Sequence, residues 1–216
     1  RARSRLIAVR EDHLAGEAYP VNTICAVGFD GSETILVDGN DFYAAPRLSP
    51  DGRQLAWLCW DHPRMPWQGT ELWVADVAPD GSVFDGRLIA GGMEESICQP
   101  EWSPDGLLYF VSDRSGWWNL YRFEHGVVHP LCPRDAEFGG PQWNFGASMY
   151  GFRSSEEIIC TYIEDGISRL GRLSTRGCTL SPIDTPYQEI RELRVSPERV
   201  AVLAGSPTIA LELALI

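Results

Sequence analysis

Apolar residues in this chain fall in short runs, and no segment carries the spacing of an amphipathic helix over its length. Five runs share one form, a strand of near-continuous apolar character that usually ends in a carboxylate: Arg5–Asp12, Gln54–Asp61, Leu107–Asp113, Ile158–Asp165 and Arg199–Ser206. The carboxylates at 12, 61, 113 and 165 stand 49, 52 and 52 residues apart. A run of this length without polar alternation is expected of a strand buried on both faces. Each is followed by a loop and another strand: Thr23–Phe29, Glu71–Val77, Asn119–Phe123, Ser168–Leu173 and Thr208–Leu215. In the last of these Ile209, Leu211, Leu213 and Leu215 recur every second residue, which predicts a strand despite the Ala and Leu content.

A second motif precedes two of the runs, at Pro46–Gly52 and Pro100–Gly106, both ending Ser-Pro-Asp-Gly. Weaker echoes stand at Pro141–Trp143 and Leu193–Pro197. Asp-Gly supplies the positive φ angles of a two-residue hairpin, so each copy is expected to join two antiparallel strands. Four strands in about fifty residues, repeated in tandem, is the blade of a β-propeller. The fold class expected is therefore all-β, a partial propeller of three whole blades (45–97, 98–138 and 139–190) between two partial ones (1–44 and 191–216). An open arc would leave apolar faces and strand edges uncovered, so the chain reads as a piece of a larger propeller, of seven blades.

Composition narrows the function. The chain has 216 residues and a net charge of -12, which argues against a nucleic-acid partner. All 18 cationic side chains are Arg. Without Lys, a P-loop, a Schiff-base enzyme and a Ser–Lys hydrolase are excluded within this chain. No apolar run approaches the roughly 18 residues of a membrane helix, and the start does not look like a signal peptide. Cys25, Cys59, Cys98, Cys132, Cys160 and Cys178 form no metal-ligand spacing, and most lie inside apolar runs. They are expected to be reduced, structural and cytoplasmic.

Strand direction sorts the loops. If strands alternate up and down, the connections between blades and those between second and third strands emerge on one rim; the hairpin turns lie on the other. The first rim carries Asp41, Phe42, Tyr43, His62, Trp67, Glu94, Glu95, Trp117, Trp118, Glu137 and Phe138. Carboxylates beside aromatic rings suit a cationic or peptidic ligand, or the docking of another domain. The recurring Asp12, Asp61, Asp113 and Asp165 are expected to accept hydrogen bonds from the loops that follow them. His13 and His62 each follow such an aspartate but lack a third ligand, so no metal and no cofactor is expected; His125 and His129 fall on the hairpin side. No G-x-S-x-G elbow and no nucleophile–base pair occurs.

Several strings carry a family resemblance: Asp41–Gly52, Leu55–Pro63 with Met65–Trp67, Glu94–Ser96, Gln99–Gly106, Ser112–Tyr121 and Glu137–Trp143. They resemble the propeller of serine peptidases of the prolyl-oligopeptidase family, in the acylaminoacyl-peptidase and dipeptidyl-aminopeptidase-like branch. Trp60–Pro63 and Gly116–Tyr121 are the more specific strings; Ser-Pro-Asp-Gly is shared with TolB-like propellers. The resemblance implies a propeller that gates a C-terminal α/β-hydrolase domain, absent from this chain, whose Ser-Asp-His triad cleaves short peptides. It implies a peptide substrate and a Glu pair gripping the substrate ammonium, for which Glu94 and Glu95 are the candidates; no membrane partner is expected, given the short apolar runs. Homo-oligomer formation is left open. The competing expectation is a non-enzymatic TolB- or WD40-like propeller that binds a protein partner.

Overall fold

A computed structural model describes residues 5–13 and 19–216. Every regular element in them is a strand, and the strands form five antiparallel sheets in chain order. The first holds β1 (Arg5–Asp12), β2 (Val21–Gly28) and β3 (Glu33–Val37). The second holds β4 (Phe42–Leu48), β5 (Gln54–Trp60), β6 (Glu71–Val77) and β7 (Val83–Gly91). The third holds β8 (Ile97–Trp102), β9 (Leu108–Ser112), β10 (Asn119–Glu124) and β11 (Val127–Pro130). The fourth holds β12 (Tyr150–Ser154), β13 (Glu157–Glu164), β14 (Ile167–Ser174) and β15 (Thr179–Ile183). The fifth holds β16 (Glu189–Val195), β17 (Val200–Ser206) and β18 (Ile209–Leu215). This is the partial propeller.

The period of two along a strand explains the stacking, because successive side chains leave opposite faces of a sheet. On β5, Leu55, Trp57 and Cys59 join Ile24 of the first sheet in one buried cluster. Ala56 and Leu58, between them, join Ile97, Leu108 and Phe110 of the third sheet in another. Tyr109 and Val111 of β9 turn the other way, onto Tyr150, Ile158 and Cys160 of the fourth sheet. Ile159 of β13 faces Ile190 and Val202 of the fifth. Four apolar seams thus hold five sheets together, which is why the middle strands carry no polar alternation.

Hydrogen bonds lock the seams. Thr70 Oγ1 accepts from Ile97 N at 2.6 Å and donates to Ile97 O at 3.1 Å. The Gln99 side chain donates to Tyr150 O at 2.7 Å and accepts from Met149 N at 2.6 Å. Ala45, Gln99 and Glu192, all at positive φ, mark a register shift at matching places in β4, β8 and β16. Such bulges kink and re-aim the first strand of a sheet.

Two local expectations change. The Ser-Pro-Asp-Gly copies are not two-residue hairpins. Gly52 N donates to Ser49 O at 2.8 Å and Gly106 N to Ser103 O at 2.9 Å, with positive φ at the glycine. Each is a four-residue turn with Pro second and Gly last, the type I preference. Its Ser hydroxyl is fixed on the Asp carboxylate, at 2.7 Å for Ser49–Asp51 and 2.6 Å for Ser103–Asp105. Two-residue turns with two positive φ angles occur instead at His125–Gly126 and Asp165–Gly166.

The recurring aspartates also differ. Asp61 and Asp113 accept from backbone just before the first strand of their own sheet, not from the loop that follows. Asp12 pairs with Arg10. Asp165 is the hairpin residue just named, and its neighbour Glu164 carries the ion pairs, to Arg134 and Arg169.

Candidate functional site

Antiparallel register brings the start of each first strand and the end of each second strand to one rim. Phe42 pairs with Trp60 across β4 and β5. Their rings stack with centroids 5.4 Å apart and 16° between planes. His62, two residues on, meets Phe42 edge-on at 4.8 Å, and Tyr19 at 5.6 Å. A second ring pair stands nearby: Trp67 of the β5–β6 connection lies 4.3 Å from Trp143 of the segment before β12. Gln142 anchors that segment by donating to Ile97 O at 2.8 Å.

Phe42, Trp60, His62, Trp67 and Trp143 border a cavity of about 390 Å³, whose lining also includes Tyr43, Phe145, Glu11, Asn22 and Arg64. Its lining is mainly aromatic and apolar with a few polar side chains, the composition of a small-molecule or peptide side-chain pocket. Asp41 holds the pocket's frame. Its Oδ2 accepts from His62 N at 2.8 Å, its backbone N donates to Asp61 Oδ1 at 2.7 Å, and its carbonyl accepts from Asn22 Nδ2 at 2.5 Å. Tyr43 lines the pocket from an almost fully buried position, with burial pushing its phenol up to about 12. Most arginines here are ion-paired, whereas the guanidinium of Arg64 has no partner among the described residues.

The sequence candidates fall into three groups. Asp41, Phe42, His62 and Trp67 converge on the pocket. Glu94 and Glu95 sit in the turn between β7 and β8, beside the Trp67 loop: a Cβ on Gly69 would come within 2.5 Å of Gly92 O and 2.7 Å of Met93 O. Glu94 is exposed and its carboxylate has no partner among the described residues. Glu95 is engaged, its Oε1 accepting from Ser112 Oγ at 2.6 Å and from Arg114 Nη2 at 2.7 Å. Burial, with Glu95 close by, raises the carboxyl of neighbouring Asp113, partly offset by the Ser96 amide it accepts from.

Trp117, Trp118, Glu137 and Phe138 form the third group, on the seam between the third and fourth sheets. Glu137 Oε2 accepts from Trp118 N at 2.9 Å, and Phe138 N donates to Trp118 O at 2.7 Å. Phe138 is 1% exposed and stacks on Tyr162 at 5.3 Å, so it packs the core and offers no ring to a ligand. Trp117 is the exposed member.

Among the pocket residues, Asn22 and Arg64 carry no signal in the sequence, and Trp60 and Trp143 stand only within the strings that carry the family resemblance. Trp60 ends an apolar run and reads as core; Trp143 reads as part of the repeat. Among the described residues no group of three His, Cys, Asp or Glu side chains is placed to hold a metal ion.

No protein-family model and no curated protein sequence matches the chain. Solved structures do. A puromycin hydrolase matches at 38% identity and a TM-score of 0.92, over 99% of this chain and 34% of its own. A serine-to-alanine variant of puromycin hydrolase, solved in complex with PGG, matches equally well. A puromycin-hydrolyzing peptidase of Mycobacterium tuberculosis matches at 32% identity and a TM-score of 0.91, again over 99% and 34%. A prolyl endopeptidase at 13% identity and a TM-score of 0.74 shares the fold, over 99% of this chain and 31% of its own. The chain thus spans about a third of the length of these proteins. Over nearly every residue the chain is similar to the propeller part of these puromycin-hydrolysing enzymes, and it shares its fold with prolyl oligopeptidases.

Proposed function

We propose that this propeller selects short peptides and aminoacyl amides for an α/β-hydrolase body that sits on the loop-rich rim and supplies the catalytic triad. The observation that carries this reading is the aromatic pocket on that rim, walled by Phe42, Trp60, Trp67 and Trp143. An aromatic side chain buries roughly 150 Å² or more, worth about 4 kcal/mol gross at ~25 cal/mol per Å². That is enough to rank substrates by one residue. A puromycin hydrolase and a puromycin-hydrolyzing peptidase among the similar solved structures support a small amide as substrate. Arg64, unpaired among the described residues, can donate to a substrate carbonyl or carboxylate, and Glu94, likewise unpaired among them, can meet an ammonium.

The test is a substrate series on the full-length protein. Anilides of Phe and Ala with free amino groups should differ in kcat/KM by about tenfold or more in favour of Phe. Trp67→Ala and Trp143→Ala should reduce that ratio to within about threefold. A full-length protein that hydrolyses neither substrate, or variants that leave the ratio unchanged, would defeat the reading.

A further inference from the structure

A second cavity, of about 220 Å³, adjoins the rim pocket, and the two share Gln142, Asn144 and Phe145 in their linings. All three lie in the β11–β12 connection, residues 131–149, which hold no regular strand. Connections longer than about 12–15 residues in a compact domain are usually functional. The first half of this one is packed, with Leu131, Ala136 and Phe138 buried. The second half is a strap. Every residue from Trp143 to Ala147 is exposed, and two side-chain bonds reach the strap: Gln142 Nε2 donates to Ile97 O at 2.8 Å and Arg194 Nη2 to Gly146 O at 3.3 Å. Trp143 has Trp67 against it, whereas Phe145 stands 66% exposed at the boundary of the two cavities. Small and apolar groups dominate the inner chamber, among them Ala44, Ala45, Cys98, Gly146, Ala147 and Met149. Its polar side chains Gln99 and Arg47 are already engaged, the first with Tyr150 O and Met149 N, the second with Glu101. Ala45 and Gln99, the bulge residues of β4 and β8, both line it, and bulges recur beside binding sites.

We infer that the inner chamber is a second side-chain site, for a small apolar residue next to the aromatic one, and that Phe145 is the specificity-determining residue between the two. The inference rests on the rim pocket being the substrate site. Continuity identifies the occupant: a ligand seated against Gln142, Asn144 and Phe145 in the rim pocket touches the residues that wall the chamber. Chemistry narrows it. With Gln99 and Arg47 spent within the fold, a polar side chain entering here would lose water without gaining a partner. Size narrows it further. The chamber has little more than half the volume of the rim pocket, so a methyl or isopropyl group enters where an indole must displace Phe145. Protein interiors pack closely, and a ring left in solvent beside a cavity gains from a ligand the contacts its own fold does not supply.

The experiment follows the loss of dipeptide amides by chromatography on the full-length protein, with Phe beside Ala, Val or Trp in both orders. In the better order the wild type should use the Ala and Val compounds with kcat/KM about tenfold or more above the Trp compound. Phe145→Ala should bring Trp to within about threefold of Ala. Ala147→Phe, which narrows the chamber from the exposed strap, should lower the Ala and Val compounds about tenfold relative to phenylalanine anilide. If Phe145→Ala folds poorly by circular dichroism, Ala147→Phe decides. A wild type indifferent to the second residue, a folded Phe145→Ala that still rejects Trp tenfold, or an Ala147→Phe that affects dipeptide amides and anilide equally overturns the assignment. The last of these is the result expected if the strap merely packs against the catalytic body. Failure of the rim-pocket reading looks different: Trp67→Ala and Trp143→Ala would leave the preference for Phe over Ala anilide untouched, whatever the dipeptide series gives.

Discussion

Asp61 and Asp113 do the same work in successive sheets. The first closes β5 and accepts from Asp41 N at 2.7 Å; the second closes β9 and accepts from Ser96 N at 2.8 Å. Each carboxylate ties the end of a second strand to the start of the first strand beside it. Asp61 also takes both contacts from Asn40 Nδ2, at 3.1 and 3.3 Å. Since Asp41 in turn holds His62 and Asn22, the pocket hangs on this tie. Asp61→Ala should therefore lower stability by about 1–3 kcal/mol, the range for a hydrogen-bonded group whose partners are left unmet. It should also weaken aromatic selectivity beyond what the stability loss explains. Urea denaturation and kcat/KM measured on the same variant check both parts.

Asp113 makes a prediction about pH. Its carboxyl is raised by burial and by Glu95. In the window between the ordinary Asp value and its raised value, the fold keeps this proton while the unfolded chain has lost it. Stability from this group therefore falls as pH rises through that window and is flat above it. Asp113→Asn keeps an acceptor for Ser96 N and has no proton to lose. Its stability relative to wild type should rise with pH across the acidic range and then level off. Asp51 and Asp76, which are lowered and slope the opposite way, are common to both proteins and cancel in the difference. Urea midpoints of the pair between pH 4 and 7 test this; a constant difference would refute it.

The sheets were legible because their physics is one-dimensional. Leu55–Trp60 and Leu107–Val111 are apolar throughout, and only a strand covered on both faces needs that. Strand direction alone sorts the loops, and it puts Asp41, Phe42, His62 and Trp67 on one rim together with Glu94, Glu95, Trp117, Trp118, Glu137 and Phe138, without separating the pocket residues from the rest. What stayed hidden depends on neighbours far along the chain. Trp57 and Trp60 share one run and both pack against a seam, yet only Trp60 also walls the pocket. Asn22 looks like an ordinary strand residue until Asp41 O claims its nitrogen. The bulges fall at Ala45, Gln99 and Glu192, none of them Gly, so nothing local announces a positive φ. The Ser-Pro-Asp-Gly turn was misread because Asp-Gly outweighed the Pro that favours a type I turn.

The thiols should separate by burial. Burial pushes Cys59 and Cys98 up to about 12, and raises Cys160 as well. A thiol this far above neutral pH carries almost no thiolate, the form that reacts. Cys178 is exposed and Cys132 half-buried. Titration of the native chain with a disulfide reagent at pH 8 should label Cys178 first and Cys132 more slowly, leaving Cys25, Cys59, Cys98 and Cys160 unlabelled until denaturant is added. Labelling of Cys98 or Cys160 at the rate of Cys178 would contradict the packing of the seam between the third and fourth sheets.

Glu94 and Glu95, adjacent in sequence, should behave as unlike residues. Glu95 spends its charge on Arg114 and Ser112, with its side chain 20% exposed and that of Arg114 32%. Glu95→Gln removes the charged acceptor of a partly shielded pair, so it should cost about 1 kcal/mol of stability and loosen the β9–β10 connection. Any change in substrate preference should follow from that loosening and apply equally to free and acetylated amino termini. Glu94 has no partner to lose among the described residues, so Glu94→Gln should leave the urea midpoint unchanged. If its carboxylate meets a substrate ammonium, kcat/KM for free-amino substrates should drop about tenfold while acetylated ones are unaffected. A Glu94→Gln protein with wild-type kinetics on both substrates would take that carboxylate out of the site.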